Sequence, residues 1–399
     1  MKTMRLTTTF AILSGLGLVA TGILASCATT EAGTPADEPP VSTIPEAGSS
    51  DGADGGCDAT DPDCVTKPVT CDEAPWCPVP TNVSNLYALT AVWGSGKDDV
   101  WASGSGGTML HWDGTAWKPA TLPSPTAYPI KNTFHALWGT GPSDVWVASA
   151  TNVVFHTDGW KNGGATWERA PNGTDNEYNT APIYAVWGDA EGELRFGGRP
   201  YDLVVGDDWG PANQIIKAEV DGGPGWVGEY GTPTIYGYWG TALDLWVIGD
   251  NSTYVSWQLG LTLHGTRASK KDPFVWTEVD SQSAVVLRGI WGSPAGDLWA
   301  VGDRGTIRRF TPGATQWEIV SSPTTETLHA IWGFAPNDVW AVGETGAIIH
   351  WDGDSWKTTE AAFPANKKKP HLYGVWGSGP SDVWIVGNGI ALHYTGGAK

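Results

Sequence analysis

Seven side chains that can form hydrogen bonds recur at one place in the sequence, three residues before a Trp-Gly pair. They are Thr90, His135, Tyr184, Tyr236, Arg288, His329 and Tyr373. Most of the seven are aromatic or imidazole groups, so as a set they combine flat faces with donors and acceptors. Such a set is suited to binding a sugar or the end of a peptide, provided that the fold brings the seven positions together.

The elements that would position these side chains are clearest in the stretch 328–357. It reads as four short strands, predicted at 328–332, 338–342, 347–351 and from Trp356 onward. Val, Ile and Trp are frequent in the strands, whereas Gly, Asp, Asn and Pro occupy the gaps, as strand and turn chemistry require.

The same unit recurs seven times, with Trp-Gly pairs 41 to 52 residues apart. The pairs begin at Trp93, Trp138, Trp187, Trp239, Trp291, Trp332 and Trp376, and the predicted second-strand aromatics are Trp101, Trp146, Phe196, Trp246, Trp299, Trp340 and Trp384. This period predicts an all-β fold, a seven-bladed β-propeller with four antiparallel strands per blade. First strands are innermost in a propeller, so the seven polar side chains should circle the mouth of the central channel. The alternative is a water-filled channel that binds nothing.

The two ends of the repeat array have complementary defects. Trp76 occupies a fourth-strand position, but no first three strands precede it. The last repeat stops after its third strand, at 390–394. We therefore expect a strand at Trp76 to complete the C-terminal blade, because that blade otherwise leaves a ladder of backbone groups unpaired. The predicted propeller domain is 78–399.

Residues 1–26 have the charge and hydropathy pattern of an export signal, with Lys2 and Arg5 ahead of an apolar run. The sequence Leu24-Ala25-Ser26-Cys27 resembles the bacterial lipoprotein signal. That resemblance implies acylation of Cys27, a lipid anchor in the cell envelope, and an outer-membrane location on the periplasmic or surface face. An ordinary secretory signal with an incidental cysteine, or a short membrane anchor, is the alternative.

Two segments separate this signal from the repeats. Residues 27–56 are rich in Pro, Gly, Ser, Thr and acids, which predicts a disordered linker. Residues 57–77 contain Cys57, Cys64, Cys71 and Cys77. In an exported chain these four predict two disulfides with three possible pairings. A zinc site is disfavoured because no C-x-x-C pair is present.

Three turns resemble the Asp-box of propeller repeats found in sialidases, photosystem II assembly factors and bacterial surface proteins. They contain Asp113-Gly114, Asp158-Gly159 and Asp352-Gly353, each followed by a tryptophan. The whole unit also resembles repeats of myxobacterial lipoproteins. The resemblance implies a propeller fold, with the box aspartate and glycine shaping the turn between the third and fourth strands.

Composition argues against several functions. The formal net charge of −20 disfavours nucleic acid and anionic membrane surfaces as partners. Only eight arginines follow residue 26, and none recurs at a repeat position, whereas a sialidase needs three that converge.

An aspartate recurs once per blade, so we interpret it as a turn cap and not as a metal ligand. The repeated residues are Asp99, Asp144, Asp244, Asp297, Asp338 and Asp382.

These observations predict a non-enzymatic, monomeric protein-interaction or assembly scaffold without cofactor or metal. Its partner would be an envelope protein, with a glycan as the alternative, and a glycosidase activity is the least favoured of the three.

Overall fold

Seven four-stranded antiparallel sheets, built from 28 strands, make up the computed structural model of the chain. It describes residues 60–124, 131–170, 181–205, 208–220, 223–231, 233–250 and 260–394. These ranges also contain three 3₁₀ helices, Ser105–Gly107, Asp303–Gly305 and Glu344–Gly346. None of their helices is long and apolar enough to span a bilayer. The predicted signal peptide 1–26, the linker 27–56 and Cys57 lie outside the described residues.

Blades 1 to 3 each contain four strands that are consecutive in the chain. Blade 1 comprises β2 (Leu89–Gly96), β3 (Asp99–Gly104), β4 (Met109–Trp112) and β5 (Trp117–Pro119). Blade 2 comprises β6 (Ala136–Gly141), β7 (Asp144–Ala150), β8 (Val153–Lys161) and β9 (Gly164–Arg169). Blade 3 comprises β10 (Ile183–Gly188), β11 (Leu194–Val205), β12 (Asp208–Val220) and β13 (Gly223–Tyr230).

Blades 4 to 6 follow the same plan. Blade 4 comprises β14 (Thr234–Gly240), β15 (Asp244–Asp250), β16 (Gly260–Thr266) and β17 (Val275–Glu278). Blade 5 comprises β18 (Leu287–Gly292), β19 (Leu298–Gly302), β20 (Ile307–Phe310) and β21 (Glu318–Val320). Blade 6 comprises β22 (Leu328–Ala335), β23 (Asp338–Gly343), β24 (Ile348–Trp351) and β25 (Trp356–Thr358).

Blade 7 joins the two ends of the array. It comprises β26 (Leu372–Gly379), β27 (Asp382–Gly387), β28 (Ile390–Tyr394) and the early strand β1 (Trp76–Pro78). Strand β1 pairs antiparallel with β28, with Trp76 opposite Tyr394. The first strands of neighbouring blades contact one another in a closed circle that returns from β26 to β2. The prediction of a seven-bladed propeller closed by an N-terminal strand is confirmed.

The segment ahead of β1 is bound to blade 7 and to the connection that leads into it. Cys71 and Cys77 form a disulfide, as predicted for this part of the chain, and Cys64 is also disulfide-bonded. The backbone N–H of Val65 donates to Lys367 at 3.0 Å, and the N–H of Lys369 donates to Asp63 at 2.9 Å. The connection that contains Lys367 and Lys369 therefore binds the N-terminal segment through its backbone.

The glycine of each Trp-Gly pair has a steric role. In five of the pairs, a Cβ on the glycine would approach the tryptophan of the preceding blade to under 3.0 Å. The pairs in contact are Trp376 with Gly94, Trp93 with Gly139, Trp138 with Gly188, Trp239 with Gly292 and Trp291 with Gly333. The indoles thus lie over the next blade's glycine and link neighbouring blades around the ring.

A second set of tryptophans closes the outer boundaries between blades. Among the described residues, six fourth-strand tryptophans meet the second-strand tryptophan of the preceding blade edge-on, at ring-centroid distances of 5.0 to 6.0 Å. These pairs are Trp76–Trp340, Trp117–Trp384, Trp167–Trp101, Trp226–Trp146, Trp317–Trp246 and Trp356–Trp299. Such pairs contribute roughly 0.5–1.5 kcal/mol each beyond the area they bury.

Blade 3 departs from the predicted pattern. Phe196 is predicted as its second-strand aromatic, but the strand register places Arg195 opposite Trp187, so Arg195 holds that position. Phe196 is the next residue and is buried. The extra length of this blade lies in the hairpin of β11 and β12, strands of 12 and 13 residues. Neighbouring residues of a strand point to opposite faces of the sheet, so an error of one residue in a predicted register places the wrong side chain on a face.

Candidate functional site

All seven residues that precede the Trp-Gly pairs line one cavity, at the mouth of the central channel. The cavity has a volume of about 660 Å³, and Thr90, His135, Tyr184, Tyr236, Arg288, His329 and Tyr373 all contribute to its wall. We call these seven side chains the mouth ring. Their shared surroundings follow from the fold, since every first strand lies against the channel.

A β-bulge positions six members of the mouth ring. In blade 1 the register passes from Leu89 to Ala91, which leaves Thr90 without an opposite residue. The same shift occurs around Tyr184, Tyr236, Arg288, His329 and Tyr373. A bulge re-aims the extra side chain, and in this fold it directs a polar group into the channel while the flanking residues stay in the sheet.

The wall below the mouth ring narrows and becomes apolar. The residue after each ring member is alanine or glycine, and these small residues also line the cavity. A Cβ on Gly374 would lie 3.3 Å from Val92 in the first blade, which shows how closely the inner strands approach one another. The following positions include Val92, Ile290 and Val375. The site is therefore a polar and aromatic rim above an apolar neck.

Four of the seven members of the mouth ring contact one another in a row. The rings of His135 and Tyr184 are 5.4 Å apart, and those of Tyr184 and Tyr236 are stacked at 5.2 Å. The guanidinium carbon of Arg288 lies 5.6 Å from the Tyr236 ring centre, a cation–π contact. On the other side of the channel, the rings of His329 and Tyr373 are 5.1 Å apart.

Carboxylates at the ends of the second strands contact the mouth ring from outside. The hydroxyl of Tyr236 donates to Asp250 at 3.1 Å. The guanidinium of Arg288 donates twice to Asp303, once through Nη2 at 3.3 Å and once through Nε. Glu344 Oε1 lies 3.7 Å from His329 Nε2. Each of these pairs joins the bulge of one blade to the end of the adjacent strand.

Partial burial keeps most of the mouth ring uncharged. Desolvation lowers the pKa of His135, and desolvation together with the charge of Arg288 lowers the pKa of His329 to about 4. Burial and the charge of Asp250 raise the pKa of Tyr236 well above its ordinary value, and burial also raises that of Tyr373. At pH 7 both histidines, Tyr236 and Tyr373 are therefore neutral, and Arg288 carries the charge.

This chemistry suits binding better than catalysis. A tyrosine nucleophile needs a lowered pKa, whereas the environment of Tyr236 raises it. Arg288 is the one arginine among the residues that line the cavity, so the three arginines of a sialidase site do not converge there. No cluster of three potential metal-ligating side chains is found within the described ranges.

The repeated aspartates do more than cap turns. Five of them accept a hydrogen bond from a third-strand histidine at 2.6 to 3.0 Å, and each histidine ring lies 4.1 to 4.5 Å from the second-strand tryptophan. The pairs are Asp99–His111, Asp144–His156, Asp244–His264, Asp338–His350 and Asp382–His393. In blade 5, Arg309 takes the place of the histidine, 3.2 Å from Asp297. The turn-cap interpretation is incomplete, because the aspartate orients a ring that covers the indole.

Two of the three Asp-box-like turns place their carboxylates inside the turn, whereas Asp158 of the third lies within strand β8 and pairs with Lys161. Asp113 Oδ1 accepts the N–H groups of Thr115 and Ala116, both at 3.0 Å. Asp352 Oδ1 accepts those of Asp354 and Ser355 at the same distance. The glycines that follow have φ of 86° and 98°, a conformation that favours glycine. These aspartates therefore act within their own turns, at the outer side of each blade.

The boundary between blades 3 and 4 contains a larger cleft that the sequence did not indicate. It has a volume of about 860 Å³ and lies where the other boundaries have a pair of tryptophans. Arg195 bridges Glu193 at 3.0 Å and Glu229 at 2.9 Å, and Arg267 also binds Glu193. Both guanidiniums lie over the ring of Phe274, at 4.8 and 4.3 Å. Both arginine side chains are buried and paired with these carboxylates, so the cleft wall is a structural ion-pair network.

Comparison with known proteins supports the fold. No protein-family model matches the chain, and no curated protein sequence matches it. A solved structure of YCF48 bound to a D1 peptide is similar with a TM-score of 0.59 and 18% identity, over 84% of this chain and 100% of that one. YCF48 from Cyanidioschyzon merolae gives a TM-score of 0.56 and 16% identity, over 80% and 98%.

A third solved structure extends the comparison to another group of propellers. The WD40 β-propeller domain of Doa1 gives a TM-score of 0.54 at 10% identity, over 80% of this chain and 96% of that domain. At these identities the similarity concerns the fold. The chain is a seven-bladed β-propeller that resembles the YCF48 type, and its mouth ring is the candidate functional site.

Proposed function

We propose that this chain is a non-enzymatic protein-interaction module that binds a peptide segment of a partner at the mouth ring. The observation that carries the proposal is the convergence of seven hydrogen-bonding side chains on one cavity of about 660 Å³. A similar propeller, YCF48, has been solved with a D1 peptide bound, which supports a peptide as the ligand class. The cavity is large enough for a few residues of an extended chain.

The cellular setting is part of the same proposal. The lipoprotein-like sequence around Cys27, followed by an acidic and Pro-rich stretch, supports a lipid-anchored domain in the cell envelope, held off the membrane by a linker. A disulfide between Cys71 and Cys77 fits an oxidising compartment. The partner would then be another envelope protein.

A glycan is the second candidate ligand, because the stacked rings of Tyr184 and Tyr236 offer flat aromatic faces beside hydrogen-bonding groups. The two candidates predict different results when the purified domain is tested on a glycan array and, in parallel, as bait in envelope extract.

The deciding experiment compares the wild-type domain with the variant Tyr236→Ala, Arg288→Ala, Tyr373→Ala. We expect one envelope protein to be captured by the wild type and lost with the triple variant, while the glycan array stays blank. As a matched control, Val275→Ala changes an exposed residue of the outer strand β17. Capture that persists with the triple variant would contradict the proposed site, and a glycan bound by the wild type alone would favour the second candidate.

A further inference from the structure

One side of the mouth ring, between blades 6 and 7, has a carboxylate, Glu344, beside a neutral histidine. Glu344 begins the 3₁₀ helix Glu344–Gly346 and lies 3.7 Å from His329 Nε2. With a pKa of about 4, His329 is neutral at pH 7 and does not compensate the carboxylate. Within the described ranges, no lysine or arginine forms an ion pair with Glu344.

An aromatic wall stands beside this carboxylate. The ring of Tyr373 packs against His329 at 5.1 Å, and the charge of Glu344 acts on the Tyr373 hydroxyl. Both rings line the channel cavity. Aromatic faces attract cations, and the attraction strengthens where water is partly excluded.

The neighbouring part of the mouth ring, in blades 4 and 5, shows that this chemistry holds a cation. Arg288 sits over the face of Tyr236, and Asp303 is its counter-ion. A guanidinium of the protein itself is thus bound between a tyrosine face and a carboxylate. In blade 6, Glu344 holds the position of Asp303 and the neutral His329 holds that of Arg288, with the ring of Tyr373 beside it.

The same contacts disfavour an anionic ligand. Two N–H groups of Arg288 are already committed to Asp303, so the one cation of the mouth ring is compensated. Three carboxylates lie against members of the mouth ring, Asp250 at Tyr236, Asp303 at Arg288 and Glu344 at His329, so a carboxylate entering the cavity would meet a surplus of negative charge. Like charges at short range are unfavourable in a partly desolvated site.

We propose that the mouth ring binds a cationic group of a peptide, with Glu344 as counter-ion and Tyr373 and His329 as the aromatic wall. A lysine or arginine side chain and an N-terminal amine share the required chemistry. This inference rests on the proposed function, since it specifies what the peptide presents to the channel.

The test uses short peptides as probes. Capped Gly-X-Gly peptides with X as lysine, arginine, norleucine or glutamate are titrated against the domain by ligand-observed NMR at low salt. An uncapped norleucine peptide with an amidated C-terminus separates an N-terminal amine from a side chain. We expect a cationic peptide to bind about tenfold or more tightly than capped norleucine, and added salt to weaken it.

Two carboxylate variants provide the comparison. Glu344→Gln should weaken binding of the cationic peptide about three- to thirtyfold, which corresponds to the usual range for a partly desolvated cation site. Glu318→Gln, on the exposed outer strand β21, should leave binding unchanged. Unchanged thermal unfolding of both variants will show that they fold.

The results that would contradict the cation assignment differ from those that would contradict the proposed function. Preferred binding of the glutamate peptide, lost with Arg288→Gln, would overturn the cation assignment while the mouth ring remained a peptide site. If Glu344→Gln bound the cationic peptide as tightly as the wild type does, the role of Glu344 would be overturned. Partner capture that survives the triple alanine variant would count against the proposed function itself.

Discussion

The indole of Trp376, in the last blade, lies over Gly94 in the first. A Cβ added at Gly94 would sit 2.6 Å from Cη2 of that indole, well inside van der Waals contact. The same relationship links Trp93 to Gly139 and Trp291 to Gly333. The Trp-Gly pair is therefore a sequence signal of contact between blades. The indole of one repeat packs against the glycine of the next, where a Cβ would clash with it.

Gly94→Ala should lower the free energy of unfolding by about 2 kcal/mol, because the methyl group overpacks a rigid contact between indole and backbone. Gly96→Ala is the matched control, since a Cβ at Gly96 meets nothing within 4 Å. The corresponding position in blade 6 is already alanine, Ala335. Urea unfolding measures both variants, and equal stabilities would contradict the steric role of Gly94.

Trp76→Ala should loosen the closure of the ring. Trp76 is fully buried and contacts Trp340 and Tyr394, so its loss should cost about 3–5 kcal/mol. Amide exchange in β28 should accelerate, because β1 covers the edge of that strand. Trp117→Ala removes the equivalent edge-on contact in blade 1. It should destabilise that blade while β28 keeps its protection, and a protected β28 in Trp76→Ala would argue against closure by β1.

Glu193→Gln should destabilise the boundary between blades 3 and 4 by about 3 kcal/mol. Glu193 is the shared partner of Arg195 and Arg267, and neutralising it leaves two buried guanidiniums without that charge. Glu191→Gln is the control in the same turn, because that side chain is 77% exposed and pairs only with Lys270. The control should change stability by less than about 0.5 kcal/mol. Similar losses in both variants would contradict a buried network.

His329→Gln should flatten the dependence of stability on pH between 6.5 and 4. The pKa of His329 is about 4 in the folded protein against an ordinary 6.5, so the unfolded chain takes up the proton first as the pH falls. The folded state is favoured fully above pH 6.5, and this advantage is lost as the pH falls toward 4. Urea midpoints of wild type and variant across this window measure the effect. Parallel curves would contradict a buried, neutral imidazole.

The fold could be predicted from sequence because its main contacts repeat locally. Each unit contains its own strands and turns, and the complementary defects at Trp76 and at 390–394 showed how the ring closes. The register inside a blade was harder to predict. Arg195 and Phe196 are neighbours, and only strand pairing shows which of them faces the position of Trp187.

The details of the sites depend on partners that are distant in sequence. Asp99 was recognised as a repeat residue, but its hydrogen bond with His111 follows from the pairing of β3 with β4. The recurrence of the two residue types together was the available signal. The bulges at the channel mouth were not predicted either. The alanine or glycine that follows every ring residue was the available sign that the inner strands approach one another closely there.

Site-specific photocrosslinking tests the binding site at the channel mouth most directly. A benzophenone side chain placed at Tyr373, in the mouth ring, should form a covalent adduct with a single envelope protein, and the crosslinked residue should lie in a segment that contains lysine, arginine or the N-terminus. The same group placed at Ile319, exposed on the outer strand β21, should give no such adduct. An adduct that forms at Ile319 and not at Tyr373 would contradict the account.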